Sequence, residues 1–516
     1  MKHIKKLASL LLALVMVLSL AVTAFADEPT TYSITINNST AGHTYEAYQI
    51  FTGDLATNEA GNKVLSNIVW GSGVSEAGQT ALGDAAAKAE TLKTEADAKA
   101  FAKAVAPYLT TAAGSANTVT DGKYVISGLA AGYYLVKDQD GSLTGDNDSY
   151  TEYIIQVVGN VTATPKSDVP EVQKKVKDIN DSTDTTKTDW QDSADYDIGD
   201  SIPFQLKATL ADNVSSYTTY KVVFHDTLSK GLTYNNDAKV YIDGTETNGF
   251  TVTATVNADG ITTLTVSCDD VKALGAGNSS VITVEYTAKL NENAVLGSAG
   301  NPNEVYLEYS NNPNKSENGN NETGETPKDV VIVFTYKTII NKVDSENAPL
   351  TGAAFKLEKL IKGKDGAAGT WTTVKEFTVD ETTTSFTFSG LDDGQYKLTE
   401  TKTPAGYNTI DPIYFVIEAT HDATADTPAL TVLKAYLTDE NGNKKTEVKD
   451  GETVNIDLGT VDLTAGSITT TVVNKSGSEL PSTGGIGTTI FYVLGSILVI
   501  GAAVLLVTKK RMSTKG

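Results

Sequence analysis

The 516-residue chain carries 41 Lys+Arg against 64 Asp+Glu, a net charge of −23 at neutral pH. Such an acidic surface excludes nucleic-acid binding built on phosphate contacts and marks a well-solvated, soluble exterior. One cysteine, Cys268, and four scattered histidines, His3, His43, His225 and His421, exclude an internal disulfide framework and a zinc motif of HExxH type.

The first segment, 1–26, reads as a secretory signal peptide. Lys2, Lys5 and Lys6 precede an apolar run from Leu7 to about Val22, and Ala24-Phe25-Ala26 makes a small-x-small cleavage site. Removing it, together with everything after Thr483, takes away seven basic residues and no acid, so the mature piece carries about −30. Export permits disulfides, yet none can form within this chain. Stability outside the cell must therefore come from another source.

The 27–168 segment opens with Thr31-Tyr32 and is interrupted by the stretch from Thr80 to Leu109. That stretch is rich in Ala, Lys and Glu with little β-branching, which predicts helical insertions. Asp138, Asp140, Asp146 and Asp148 form an acidic loop without calcium-loop spacing, which reads as solvated. A first linker, Thr164-Pro165-Lys166-Ser167-Asp168-Val169-Pro170, places Lys166 in an exposed, reachable position.

The 169–329 and 330–479 segments are dominated by alternating runs rich in Val, Ile, Thr and Tyr, separated by Gly, Asn and Asp turns. This is the pattern of β-sandwiches, so the expected fold is all-β, with tandem immunoglobulin-like domains. Cys268, in Leu264-Thr-Val-Ser-Cys268, reads as a small strand residue. A second linker, rich in Asn, Gly, Glu and Pro, runs from Asn311 to Pro327. A weak internal repeat aligns Gly128-Leu129-Ala-Ala-Gly132-Tyr-Tyr134 with Gly390-Leu391-Asp-Asp-Gly394-Gln-Tyr396.

Strand alternation puts single polar groups on apolar stripes. In the third segment Lys342 shares a face with Ile340, Glu400 with Tyr396 and Leu398, and Asn474 with Ile468 and Val472. In the second, Asp226 shares a face with Val222 and Phe224, and Asn303 with Val305 and Leu307. Lys174 rides with Val172 and Val176 while Lys175 points the other way; Lys175 for Lys174, and Asn301 for Asn303, remain open alternatives. Burial favours a neutral lysine amine and a protonated acid. A neutral amine can attack an amide carbon, and a protonated acid can polarise its carbonyl as ammonia leaves.

The 480–516 segment contains Leu480-Pro481-Ser482-Thr483-Gly484, then an apolar run from Ile486 to Val507 long enough to cross a bilayer, then Lys509, Lys510 and Arg511. This order resembles the LPxTG cell-wall sorting signal of Gram-positive surface proteins, in which a sortase cysteine attacks the Thr carbonyl, here that of Thr483. The run from Tyr396 to Tyr407, with Glu400, resembles the E-box of pilins and of collagen-adhesin B-type domains. The resemblance implies an isopeptide bond between Lys342 and Asn474 promoted by Glu400. The middle segment resembles the related A-type module, implying a bond between Lys174 and Asn303 promoted by Asp226.

In the repeat Asp138 falls where Glu400 sits, but Asn38 falls where Lys342 sits, so no bond is expected in the first domain, which should be the least stable. Pro165-Lys166 resembles the pilin motif of shaft pilins, with Thr164 and Ser167 departing from its YPKN-like form. The resemblance as a whole implies a non-enzymatic shaft subunit of a covalent pilus that supports adhesion. It would be linked through Thr483 and Lys166 by a pilus-type sortase, with a housekeeping sortase, peptidoglycan, accessory pilins and further copies of itself as partners. No cofactor and no metal are expected. The alternative is a wall-anchored adhesin or minor pilin that is not polymerised.

Overall fold

A computed structural model describes residues 31–57, 63–157, 160–183, 189–316, 322–362, 369–477 and 486–512. The expected leader and the Leu480–Gly484 pentapeptide lie outside the described residues. Three β-rich domains follow one another, and an apolar helix ends the described chain.

The first domain pairs a three-stranded sheet with a five-stranded one. Strand Tyr32–Asn37 lies between Lys123–Leu129 and Val161–Ala163, the latter pairing parallel to it. Its core is split in two. Ile34, Ile36, Tyr45, Tyr124 and Val136 fill the space between the sheets. A second cluster around Phe51, Phe101 and Val105 packs three helices, Glu76–Leu82, Ala85–Thr91 and Glu95–Val105, onto the outer sheet. The helices begin four residues before the expected Thr80. Ser75, Asp84 and Thr94 cap them by accepting backbone N–H groups, and Thr94 with Asp97 completes a capping box.

The middle domain is a sandwich of two seven-stranded sheets. The strands read as alternating are alternating: Ser201–Thr209 buries Ile202, Phe204, Leu206 and Ala208, and Val281–Leu290 buries Ile282, Val284, Tyr286 and Ala288. Cys268 closes strand Thr262–Cys268 and is buried. The boundary at 329 needs correction. Strand Asp329–Phe334 pairs with Asn301–Ser310 and with Ser193–Asp195, so it completes the middle domain, and the third domain begins at about Thr335. Its apolar run looks like the opening of the next sandwich because its end does face that core, through Phe334.

The third domain repeats the plan of the first. Strand Tyr336–Val343 lies between Ser385–Leu391 and Ser467–Val473, and the latter again pairs parallel to it. The aligned turn glycines Gly128 and Gly390 both adopt φ +76°, a left-handed conformation that glycine enters without steric cost.

The C-terminal helix, Ile486–Met512, contains a 19-residue apolar stretch, Tyr492–Lys510, with mean hydropathy 2.1. At 1.5 Å per residue it can cross the hydrocarbon of a bilayer.

Candidate functional site

Lys174, Asp226 and Asn303 converge at the centre of the middle domain, each completely buried. Lys174 comes from strand Glu171–Lys177 of one sheet, which lies between Trp190–Gln191 and Ser201–Thr209. Asp226 and Asn303 come from adjacent strands of the other, Val222–Leu228 and Asn301–Ser310. The Lys174 Nζ donates to Asp226 Oδ1 at 2.5 Å. A residue the sequence reading did not single out completes the group: Tyr286 donates to Asp226 Oδ2 at 2.5 Å and accepts from Asn303 Nδ2 at 2.8 Å. Among the described residues the Asn303 carbonyl oxygen has no hydrogen-bond partner.

Burial pulls the Lys174 pKa down against the opposing pull of Asp226. It pushes the Asp226 carboxyl up against the pull of Lys174, and the Tyr286 hydroxyl well up, helped by the neighbouring Asp226 charge. Phe204 and Tyr286 flank the Lys174 side-chain nitrogen, each with its ring centroid 5.5 Å from Nζ.

The two rivals stand elsewhere. Lys175 ion-pairs with Asp192 at the rim and is partly exposed. Asn301 is buried, but its amide is fully engaged by backbone, donating to Val295 and Val333 carbonyls and accepting from the Val295 N–H.

In the third domain Lys342 and Asn474 come from the parallel pair of first and last strands. Lys342 stands opposite Val472, and the Asn474 N–H donates to the Val343 carbonyl at 3.0 Å. Glu400 reaches them from the opposite sheet. Asn474 Nδ2 donates to both Glu400 oxygens, at 2.9 and 3.1 Å, and among the described residues the Asn474 carbonyl oxygen has no partner. The Ile410 N–H and Thr403 hydroxyl also donate to Glu400 Oε2. Lys342 Nζ donates to the Val343 and Val472 carbonyls. Burial lowers its pKa, opposed by Glu400 and Asp344.

In the first domain no lysine among the described residues fills the corresponding space. Asn38 Nδ2 donates to Tyr45 Oη, which meets the Thr151 hydroxyl at 3.0 Å. Asp138 accepts from the Thr151 N–H and contacts His43 Nδ1 at 2.7 Å, with both side chains buried. Asp138 therefore belongs to a buried polar network rather than to the solvated loop expected around it. Asp148 does stay in that loop, accepting from the Thr144 and Gly145 N–H groups.

Lys166 sits in the linker between the first and middle domains. Its side chain is 52 % exposed and ion-pairs with Glu95 on the third helix at 3.1 Å. Around it the two domains meet through hydrogen bonds such as Tyr150 N–H to the Asn311 carbonyl and Tyr309 Oη to the Asp148 carbonyl.

Comparison with known proteins agrees with this architecture. Residues 198–313 match the Gram-positive pilin backbone subunit 2, Cna-B-like domain, residues 337–430 the SpaA prealbumin-like fold domain, and residues 472–513 the LPXTG cell wall anchor motif. These assignments define a Gram-positive surface pilin with a cell-wall anchor.

Over 462 residues the chain is 27% identical to the trypsin-resistant surface T6 protein of Streptococcus pyogenes serotype M6, covering 76% of this chain and 77% of that protein. It is also similar to the solved T6 backbone pilin, described as a modular three-domain structure, with a TM-score of 0.57, 19% identity, and coverage of 88% and 100% of the two chains. The full-length major pilin SpaD of Corynebacterium diphtheriae aligns with a TM-score of 0.49 at 18% identity, over 88% and 100% of the two chains. More narrowly, the chain is a backbone pilin: a non-enzymatic, cell-wall-anchored subunit of an extracellular pilus shaft.

Proposed function

We propose that the shaft is covalent both between and within subunits. Between subunits, a sortase acyl-enzyme formed at Thr483 is attacked by the Lys166 amine of the next copy. The Thr483–Gly484 bond breaks, an amide forms, and the sortase thiol is released. Because the donor and acceptor surfaces differ, the contact is heterologous and does not close, so it propagates a filament. A pilus-type sortase would make this link. A housekeeping sortase would attach the finished fibre to peptidoglycan, and accessory pilins would join the same fibre.

Within subunits, the neutral amine of Lys174 attacks Asn303 Cγ, and that of Lys342 attacks Asn474 Cγ. Each step forms one C–N bond and releases one ammonia. Asp226 and Glu400 carry the protons. The observation that carries the reading is the pair of buried lysine–acid–asparagine groups, each with an orphaned asparagine carbonyl oxygen. A bare buried ion pair is a poor source of stability. A cross-link closing a loop this long contributes on the order of 4–5 kcal/mol if it acts on the unfolded chain as a disulfide does.

Half-exposed Lys166 at the junction of two domains favours polymerisation over the non-polymerised adhesin. The test is an immunoblot of boiled wall extracts from wild-type and Lys166→Ala cells. A high-mass ladder in the wild type that is lost in the variant is expected; a ladder that survives the substitution rejects Lys166 as the acceptor.

A further inference from the structure

The joint between the middle and third domains gathers an unusual density of carboxylates in two pockets. The first holds Asp181 and Asp197 with Asp392 from the third domain, and its cation is built in. Lys359, almost fully buried, donates to Asp197 at 2.6 Å, lies 3.6 Å from Asp181 and contacts Asp392. The second holds Asp178 and Asp195 from the middle domain and His421 from the third. No lysine or arginine pairs with Asp178 or Asp195 among the described residues.

The hydrogen bonds around His421 orient it. The Ser193 hydroxyl donates its one proton to the Asp422 carbonyl at 2.6 Å, so it can only accept from the imidazole Nδ1, 2.7 Å away. Nδ1 therefore carries a proton, and Nε2 faces the two carboxylates. A histidine ligand is oriented in this way when its other nitrogen is tied down by a fixed acceptor.

The carboxylates are oriented as well. Asp178 Oδ1 accepts from the Asp195 N–H, and Asp195 Oδ2 accepts from the Asp393 N–H at 3.2 Å. Their other oxygens, Asp178 Oδ2 and Asp195 Oδ1, face His421 Nε2 at 3.4 and 3.9 Å. Gln191 Nε2 also donates to Asp178 Oδ2, at 3.3 Å.

At those separations a protonated His421 also ion-pairs with both carboxylates, so two occupants compete for the pocket, a proton on Nε2 and a metal ion. An imidazolium proton shared with a carboxylate draws N and O to about 2.7–3.2 Å. Ligands about 2.0–2.2 Å from a tetrahedral metal stand about 3.4 Å apart. The first separation equals that edge, and the second needs a closure of about half an ångström to reach it. A second observation points to a missing partner. Tyr336, fully buried, turns its hydroxyl toward the Asp195 carboxylate, yet among the described residues it completes no hydrogen bond of ordinary geometry.

We propose that His421 Nε2, Asp178 Oδ2 and Asp195 Oδ1 form a binding site for a divalent transition-metal ion of the zinc class, clamping the middle domain to the third. One nitrogen and two carboxylate oxygens suit such an ion better than calcium, which prefers an all-oxygen shell of six to eight ligands. Two ligands from one domain and one from the next make the ion a cross-domain strut beside the Lys359 ion pairs. The proposal rests on the joint geometry alone and stands apart from the isopeptide and polymerisation readings.

The experiment uses the full chain in detergent, stripped with EDTA and titrated calorimetrically with Zn2+ alone. One saturable equivalent is expected. His421→Ala and Asp178→Asn should abolish it, while far-UV circular dichroism stays that of the wild type. Ser193→Ala, which removes the hydroxyl that orients the imidazole together with its bond to the Asp422 carbonyl, should weaken binding about 10–100-fold. Absence of saturable binding overturns the proposal. So does an equivalent that survives unchanged in both His421→Ala and Ser193→Ala, which would mark adventitious binding elsewhere.

Discussion

The Asn474 side-chain amide nitrogen donates to both Glu400 oxygens, at 2.9 and 3.1 Å, and its own carbonyl oxygen has no partner among the described residues. An asparagine held by its nitrogen presents its carbon to a nucleophile, and Lys342 is the buried amine beside it. If both proposed bonds form, the intact mass falls by two ammonia, about 34 Da, since each amine displaces one amide nitrogen. Glu400→Ala and Asp226→Ala should each restore about half of that difference, in the third and middle domains respectively. An unshifted wild-type mass would reject both bonds.

Tyr286 predicts a graded effect in one domain only. Its hydroxyl bridges Asp226 and Asn303, which make no direct hydrogen bond to each other. Tyr286→Phe keeps the ring stacked on Phe204 but removes the bridge. The expected result is slow or partial bond formation in the middle domain, read as two populations about 17 Da apart, with the third-domain bond complete. A single fully reacted species would show that Tyr286 only packs. Lys175→Ala, at the rim, should leave the mass shift of the wild type intact.

Why strand alternation found Lys174, Asp226 and Asn303 but not Tyr286 is a matter of chemistry rather than spacing. Tyr286 does sit on the buried stripe of Ile282, Val284 and Ala288. A tyrosine there reads as ordinary core, whereas a lone lysine or aspartate on such a stripe does not. The same period chose Lys174 over Lys175, because a one-residue slip moves a side chain to the opposite face. It could not choose Asn303 over Asn301, which share a face; that choice depends on which backbone groups lie opposite. The strand to Phe334 was misplaced because an apolar run does not say which of two neighbouring cores it serves. His421, Asp178 and Asp195 were illegible for a further reason. His421 stands more than two hundred residues and a domain boundary away from both aspartates, which leaves no local spacing to read.

The first domain should respond to substitution without any change in mass. Its buried acid, Asp138, is satisfied by His43 and the Thr151 N–H instead of by a lysine. Asp138→Ala leaves both donors buried and unpaired, a loss of roughly 1–3 kcal/mol for each orphaned group that finds no new partner. Hydrogen exchange should show this domain opening first in the wild type and earlier still in the variant. Protection of the first domain equal to that of the third would contradict the assignment of cross-links to the other two.

Lys166 yields a prediction that separates its chemistry from its setting. In the subunit its amine is paired with Glu95, and both side chains are about half exposed. To attack an acyl-enzyme the lysine must leave that pair. Exposed pairs of this kind are worth about 0–1 kcal/mol, so the departure costs little. Glu95→Gln should therefore keep the polymer ladder and raise the initial rate of sortase-catalysed cross-linking in vitro by no more than about fivefold, the factor that 1 kcal/mol allows. Lys166→Arg keeps the charge and the pair but supplies no competent amine, and it should abolish the ladder. A ladder lost in Glu95→Gln would instead make the helix Glu95–Val105 part of the surface on which the sortase docks, since removing a weak surface ion pair cannot by itself silence a nucleophile that is already exposed.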